Sequence, residues 1–221
     1  WQAPPVPLLI NSIPYNDRPA CIHCQHCVGF ACPVDAKNGT QNTMIARAMQ
    51  TGHCDLATEA MVSRISTSPA GRVTGVSYFD REGALQQANA EVVILSGGAI
   101  ETARLLLNSA TFREPAGLGN NRDLVGRNLQ GHLYPSINGL FEQPVWDGVG
   151  PGASTATCQF NHGNEGIIGG GMIADDFVVP PIIFAKGALP PQVPCWGRAH
   201  KEFMRNGYRR TIGIKGPVQE I

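Results

Sequence analysis

The sequence lacks an excess of either charge, because seventeen Lys and Arg residues balance seventeen Asp and Glu residues. Nucleic acids and anionic membranes attract proteins that carry a clear basic excess, so we expect neither as a partner. The sequence also lacks any run of about 18 apolar residues, and we therefore expect no membrane span.

Charged residues are scarce, at 15% of the chain against roughly 25% in an average soluble domain. Glycine (26) and proline (17) are abundant, which favours strands, turns and long loops over a helical bundle. The length of 221 residues suits one globular domain or two small ones. Residues 1–5 resemble neither a signal peptide nor an initiator sequence, and residues 216–221 carry no stop signal. We therefore expect a fragment of a longer reading frame.

Four of the seven cysteines lie within twelve residues, in the pattern C-x2-C-x2-C-x4-C-P. They are Cys21, Cys24, Cys27 and Cys32. Thiolates are soft ligands that suit iron–sulfur clusters or zinc. The spacing is close to the ferredoxin run, with one residue added before the last cysteine. The pattern therefore predicts a metal site, with His23 and His26 as alternative ligands.

Two other interpretations of this segment stay open. One or two disulfides are possible in an export compartment, and a zinc knuckle would use the same thiolates. Structural zinc sites usually draw two ligands from each of two segments, and no second C-x2-C occurs here. The isolated Cys54, Cys158 and Cys195 are interpreted as buried small apolar residues.

The apolar periodicity predicts a mixed α/β fold (α+β). A helix should begin near residue 42, and residues 56–67 and 72–79 should form a hairpin around the turn at 68–71. Residues 90–95 form a continuous apolar run, typical of a strand buried on both faces. Beyond a short helix at 122–130, an antiparallel sheet is expected from the runs at 137–141, 166–173, 177–184 and 211–214.

A glycine turn separates the apolar run from a predicted helix that begins near residue 98. Small residues there let the backbone approach a bound group, and a helix N-terminus favours a phosphate. A tight packing turn without a ligand would have the same sequence. The motif is not G-x-G-x-x-G, so it leaves both interpretations open.

These stretches together resemble the glucose–methanol–choline (GMC) oxidoreductase family. The segments that carry the resemblance are 36–40, 51–52, 71–76, 94–109, 117–120 and 124–132, in the same order and similar spacing. The cysteine segment looks like the iron–sulfur branch, the catalytic subunits of FAD-dependent sugar dehydrogenases. In that branch three cysteines hold a three-iron cluster; Cys21, Cys27 and Cys32 match them by spacing, and Cys24 has no clear counterpart.

The resemblance implies FAD and an iron–sulfur cluster (3Fe-4S or 4Fe-4S) as cofactors. It implies part of an FAD-binding region at 1–135 and part of an antiparallel-sheet substrate domain at 136–221. The strand at Ala60 and Val62 would pass the adenine, and the segment Ser96, Gly97, Gly98 and Ala99 would line the flavin. The family's catalytic His is expected beyond residue 221, so no catalytic residue is assigned and the isolated chain is expected to be inactive.

The implied function is oxidation of a CH–OH group of a sugar or alcohol. Electrons would leave through the cluster to a cytochrome c or another acceptor subunit, and the periplasm is the favoured compartment. Two alternatives stay open. The cysteines could hold structural zinc or disulfides in a GMC-type oxidase or dehydrogenase, or the chain could be a non-catalytic metal-binding remnant.

Overall fold

The computed structural model describes residues 2–24, 26–27, 29–146, 150, 154–176, 180–187 and 189–219. The chain divides into two compact units, Met49–Gln130 and Trp1–Ala48 with Gly131–Ile221. Helices and antiparallel sheets are mixed along the chain, which confirms the predicted α/β class. The assignment of 1–135 and 136–221 to a cofactor-binding and a substrate domain stays a prediction.

The elements are numbered in chain order. Within the described residues the α-helices are α1 (Met44–Gln50), α2 (Gly98–Asn108), α3 (Pro181–Gly187) and α4 (Gly197–Gly207). The strands are β1 (Met61–Thr67), β2 (Val73–Phe79), β3 (Leu85–Asn89), β4 (His132–Leu133), β5 (Ser136–Leu140), β6 (Ala156–Thr157), β7 (Ile173–Asp176), β8 (Thr211–Lys215) and β9 (Val218–Gln219). No helix in the described part of the chain is long and apolar enough to cross a bilayer.

The unit Met49–Gln130 is built on an antiparallel sheet with strand order β1-β2-β3. The predicted hairpin is confirmed, since β1 pairs with β2 around the turn at 68–71. The next turn is held by Asp80, whose carboxylate accepts hydrogen bonds from the Ala84 amide and the Gln86 side chain, each at 2.8 Å. Helix α2 packs against β1, so the predicted helix after the glycine turn is also confirmed.

Ser109 joins the end of α2 to β1 inside this unit. Its side chain is completely buried. The hydroxyl donates to the Leu105 carbonyl at 2.6 Å and accepts from the Ile65 amide at 2.9 Å. Ile65 is itself buried, so water cannot replace the hydroxyl.

Ser109→Ala should therefore lower the free energy of unfolding by about 1–3 kcal/mol, the usual cost of a buried amide left without a partner. Urea unfolding followed by circular dichroism measures the change. Ser68→Ala is the matched control, because the Ser68 hydroxyl accepts an exposed hydrogen bond from the Arg72 amide, which water can replace. An equal loss in both variants would contradict the prediction.

The prediction of a buried strand at residues 90–95 is wrong. Residues 92–96 adopt no regular secondary structure, and Val92 and Ile94 are 76% and 85% exposed. A strand needs hydrogen-bonded neighbours. In the β1-β2-β3 sheet, β2 pairs with β3, the strand just before this run, and no described strand pairs with the run itself.

The predicted helix at 122–130 is also wrong, since this segment consists of turns and irregular chain. Asp123, Gly126 and Asn128 all have positive φ angles, of 54°, 79° and 55°. Right-handed helices require negative φ. Three left-handed residues within one stretch therefore exclude the helix.

In the other unit, a four-stranded antiparallel sheet has the order β5-β8-β7-β6. Strands β5 and β8 confirm the predictions at 137–141 and 211–214. Of the predicted strand at 166–173, only Ile173 lies in a strand. The predicted strand at 177–184 is wrong where it is described, because α3 begins at Pro181, and residues 177–179 lie outside the described residues.

Helix α4 was not predicted, and its packing explains why α3 is helical. Phe184 of α3 is 3% exposed. Its ring lies 6.2 Å from that of Phe203 of α4 and 5.1 Å from that of Tyr208. An apolar run of this length fits a buried strand or a buried helix equally well, and these aromatic neighbours favour the helix.

Candidate functional site

The four clustered cysteines lie along one cleft in the unit that contains residues 2–48. Between and around them the lining is mostly apolar. The lining residues are Ile10, Cys21, Ile22, Cys24, His26, Cys27, Cys32, Pro33, Val34, Ala36 and Lys37. All four cysteines that the spacing predicted as ligands therefore line one cleft. We call residues 21–32 the cysteine loop.

The base of the cysteine loop is closed by backbone pairing. Ile10 forms an antiparallel bridge with Lys37. The Asn11 amide donates to the Ala36 carbonyl, and the Asn11 carbonyl accepts from the Cys21 amide, both at 2.8 Å. The buried Asn11 side chain accepts from the Asn38 side chain at 2.9 Å. Asn11 thus joins the chain entering the loop to the chain leaving it.

Arg18 strengthens the same closure from outside the loop. Its guanidinium donates to the carbonyls of Asp35 and Lys37 at 3.1 and 3.2 Å, and to the side chain of Asn38. All three acceptors lie just after the last cysteine of the loop. The sequence did not predict this structural role of Arg18, although Arg18 lies only three positions before the first cysteine of the loop.

Two of the sulfur atoms accept hydrogen bonds from backbone amides. The Ala36 amide donates to Cys32 Sγ at 3.2 Å, and the His23 amide donates to Cys21 Sγ at 3.3 Å. Partial burial works against the Cys32 thiolate, but the amides of Val34, Lys37 and Ala36 and the Lys37 charge outweigh it and lower the pKa of Cys32 below its usual value of 9.0. Such donors favour the charged, metal-binding form of sulfur.

The donor set fits a thiolate metal site in its chemistry. No disulfide joins any of the seven cysteines, all of which lie among the described residues, so the disulfide interpretation is not realised in this structure. No three His, Cys, Asp or Glu side chains within the described ranges are arranged as ligands of one ion. The four cysteines line one cleft, and ligation of one ion would require their sulfur atoms to come closer together.

The remaining candidate ligands and cysteines lie in different surroundings. His26 lines the cleft with its ring 5.5 Å from that of Phe30, whereas His23 Nδ1 lies 3.2 Å from the Gly150 carbonyl. Cys158 and Cys195 are exposed. The interpretation of these two as buried apolar residues is therefore wrong, and neither belongs to the cysteine loop.

A second cleft, of about 670 Å³, lies in the unit Met49–Gln130. It brings Val62 of β1 together with Ser96 and Gly97 before α2, three of the six residues predicted to bind the flavin cofactor. Apolar side chains, including Phe79 and Ile94, form much of the remaining lining. Such a cleft suits a largely apolar ring system with a few polar groups.

The N-terminus of α2 opens onto this cleft without a side chain to cap it. Gly97 is the N-cap and forms no side-chain cap hydrogen bond, and a Cβ at Gly98 would meet no atom within 4 Å. Glu101 already places a negative charge in the first turn, so this end suits an uncharged ring better than a phosphate. Of the other predicted contacts, Ala60 and Gly98 are not among the lining residues, and Ala99 lines a separate cleft.

Comparison with known proteins shows which family this chain is similar to. The family model described as GMC oxidoreductase matches residues 10–134, more than half of the chain. The fructose dehydrogenase large subunit of Gluconobacter japonicus is 32% identical over 163 residues, 72% of this chain and 29% of that protein. The gluconate 2-dehydrogenase flavoprotein of Pantoea cypripedii is 27% identical over 205 residues, 88% of this chain and 33% of that protein.

An oxidase is also similar. The 6'''-hydroxyparomomycin C oxidase of Streptomyces lividus is 34% identical over 139 residues, 62% of this chain and 26% of that protein. This chain therefore spans about a quarter to a third of the length of these relatives.

Proposed function

This chain belongs to the glucose–methanol–choline (GMC) oxidoreductase family, and from that premise we propose that it is a segment of an FAD-dependent enzyme that oxidises CH–OH groups of sugars or alcohols. FAD is the cofactor that the family implies. The names of the fructose and gluconate dehydrogenases support a sugar-type substrate. The proposal assigns no catalytic base to this chain, and the periplasm remains the favoured compartment.

The cleft of the unit Met49–Gln130 is the proposed place of contact with FAD. Val62, Ser96 and Gly97 line it together, and Ala60, Gly98 and Ala99 lie one or two positions from them in sequence. The role of these residues would be to bind and orient: Gly97 and Gly98 leave the backbone accessible, and the apolar side chains exclude water.

The cysteine loop is the proposed site of an iron–sulfur cluster, 3Fe-4S or 4Fe-4S, held by Cys21, Cys27 and Cys32 with or without Cys24. The observation that carries this proposal is that all four cysteines line one cleft as free thiols. Bound FAD would supply acceptance of a hydride from the alcohol, and a cluster held by these cysteines would supply one-electron transfer towards a cytochrome c or another acceptor subunit.

A second candidate function follows from the similarity to an oxidase. In this case the complete enzyme would be a GMC oxidase or dehydrogenase in which the cysteine loop holds zinc or only shapes the surface. A zinc site would use the same thiolates at Zn–S distances of about 2.3 Å. Metal analysis separates the two candidates.

The test is quantitative analysis of iron, acid-labile sulfide, zinc and flavin in protein purified without oxygen. We expect about three or four irons per chain with a similar amount of sulfide, and FAD in the complete enzyme. Zinc in place of iron would replace the proposal with the second candidate. A complete enzyme without flavin would contradict the oxidoreductase proposal itself.

A further inference from the structure

Lys37 contacts the cysteine loop from the position where the chain leaves it. Its side chain lines the same cleft as the four cysteines. The ammonium donates to the Cys27 carbonyl at 2.7 Å and to the Phe30 carbonyl at 3.1 Å. Lys37 itself is held in place, because its backbone pairs with Ile10 and its carbonyl accepts from Arg18.

The two carbonyls that Lys37 binds lie in the widest gap between the cysteines. Four residues separate Cys27 from Cys32, whereas two separate each earlier pair. A longer gap has more conformations, and each must be restricted before the thiols at its two ends can bind one ion. A side chain that binds two carbonyls in this gap restricts it directly.

The charge of Lys37 acts in the same direction. Four thiolates around one divalent ion carry a net charge of −2, and an anionic centre in a partly apolar cleft is stabilised by a nearby cation. Among the described residues, the lining of this cleft includes one Lys, one His and no Arg, Asp or Glu. Lys37 therefore places an ammonium charge beside a thiolate centre in this cleft.

We propose that Lys37 is a positioning residue for metal binding by the cysteine loop: its ammonium holds the segment between Cys27 and Cys32 beside the cleft that the four cysteines line, and its charge offsets the negative charge of a thiolate centre. The inference rests on the proposed metal-binding role of this loop, and it holds for iron, zinc or another thiophilic ion. Outer contacts of this kind typically change metal affinity by about 10- to 100-fold.

The experiment titrates reduced, metal-depleted protein with Co²⁺ and follows the thiolate-to-cobalt absorption band. Lys37→Met, which removes the donors and the charge, should weaken the apparent Co²⁺ affinity by about tenfold or more. Lys37→Arg keeps the charge and the donors and should stay within about threefold of the original protein. Lys201→Met, at an exposed position in α4, is the matched control and should leave the affinity unchanged.

Each outcome decides one question. Unchanged affinity in Lys37→Met overturns the inference, and so does the lack of a thiolate band in the original protein, because the four thiols would then not act as one site. A thiolate band in a protein isolated without iron contradicts the proposed iron–sulfur cluster but leaves the role of Lys37 standing. If Lys37→Met does not fold by circular dichroism, Lys37→Gln replaces it, and unchanged affinity there also overturns the inference.

Discussion

Cys32→Ser is expected to reduce the iron content of the protein at least tenfold. Cys32 lines the cleft shared by the four thiols, and its sulfur accepts a hydrogen bond from the Ala36 amide at 3.2 Å. Serine oxygen is a harder ligand than thiolate sulfur and is a poor replacement in an iron–sulfur site. Iron and acid-labile sulfide per chain, measured on protein purified without oxygen, give the result directly.

The control for this prediction is Cys195→Ser. Cys195 is exposed and does not line the cleft, so its replacement should leave iron and sulfide unchanged. Cys24→Ser distinguishes the cluster types. Retention of about three irons indicates a three-iron cluster held by Cys21, Cys27 and Cys32, whereas loss of the cluster indicates that Cys24 is a ligand. Full iron content in Cys32→Ser would contradict the assignment of this ligand.

Gly75→Ala is expected to destabilise the unit Met49–Gln130 by more than about 3 kcal/mol. Gly75 lies in the central strand β2 with a φ angle of 150°, and an added Cβ would lie 2.1 Å from the carbonyl oxygen of Ala88 on β3. Backbone on the neighbouring strand cannot move away without breaking the sheet hydrogen bonds. Urea unfolding of the protein measures the loss, with circular dichroism as the signal.

Gly83→Ala separates the clash from backbone strain. Gly83 also has a positive φ angle, of 80°, but an added Cβ there would meet no atom within 4 Å. This variant should lose only about 1–2 kcal/mol, the cost of left-handed backbone for a residue with a side chain. Similar losses in both variants would show that the contact with Ala88 is not what requires glycine at position 75.

Local sequence patterns predicted an element correctly where the element depends mainly on residues close to it in sequence. The turn at 68–71 predicted the pairing of β1 with β2, and the glycine turn at 96–98 predicted the start of α2. Both features depend on residues within about ten positions of each other. Such local patterns are the primary sequence signals for helices and hairpins.

The failures lie where an apolar run depends on distant neighbours. Residues 90–95 have the composition of a buried strand, but β3 ends at Asn89, and the described chain offers no strand to pair with the run that follows. At Pro181–Gly187 the opposite occurred: an apolar run predicted as a strand is helical, because Phe184 packs on Phe203 and Tyr208. The composition of an apolar run specifies neither a pairing strand nor the side chains that a helix packs against.

For the candidate metal site, the spacing identified the thiols but not their supports. Four cysteines within twelve residues are visible in any reading of the chain. Arg18 and Lys37 act through backbone carbonyls, and a carbonyl has no sequence signature. The side chains that hold a loop by its backbone are therefore found only when the loop is seen folded.

The backbone pairing of Asn11 has a consequence for how tightly the cysteine loop can bind an ion. Closing a loop costs conformational entropy, which a metal site in a flexible chain must supply from its binding energy. Here the Asn11 backbone already bonds both ends of the loop, to Ala36 and to Cys21. The entropy of closing the base of the loop is thus lost during folding, and the binding of an ion has to supply only the cost of ordering the sulfur atoms and the chain between them.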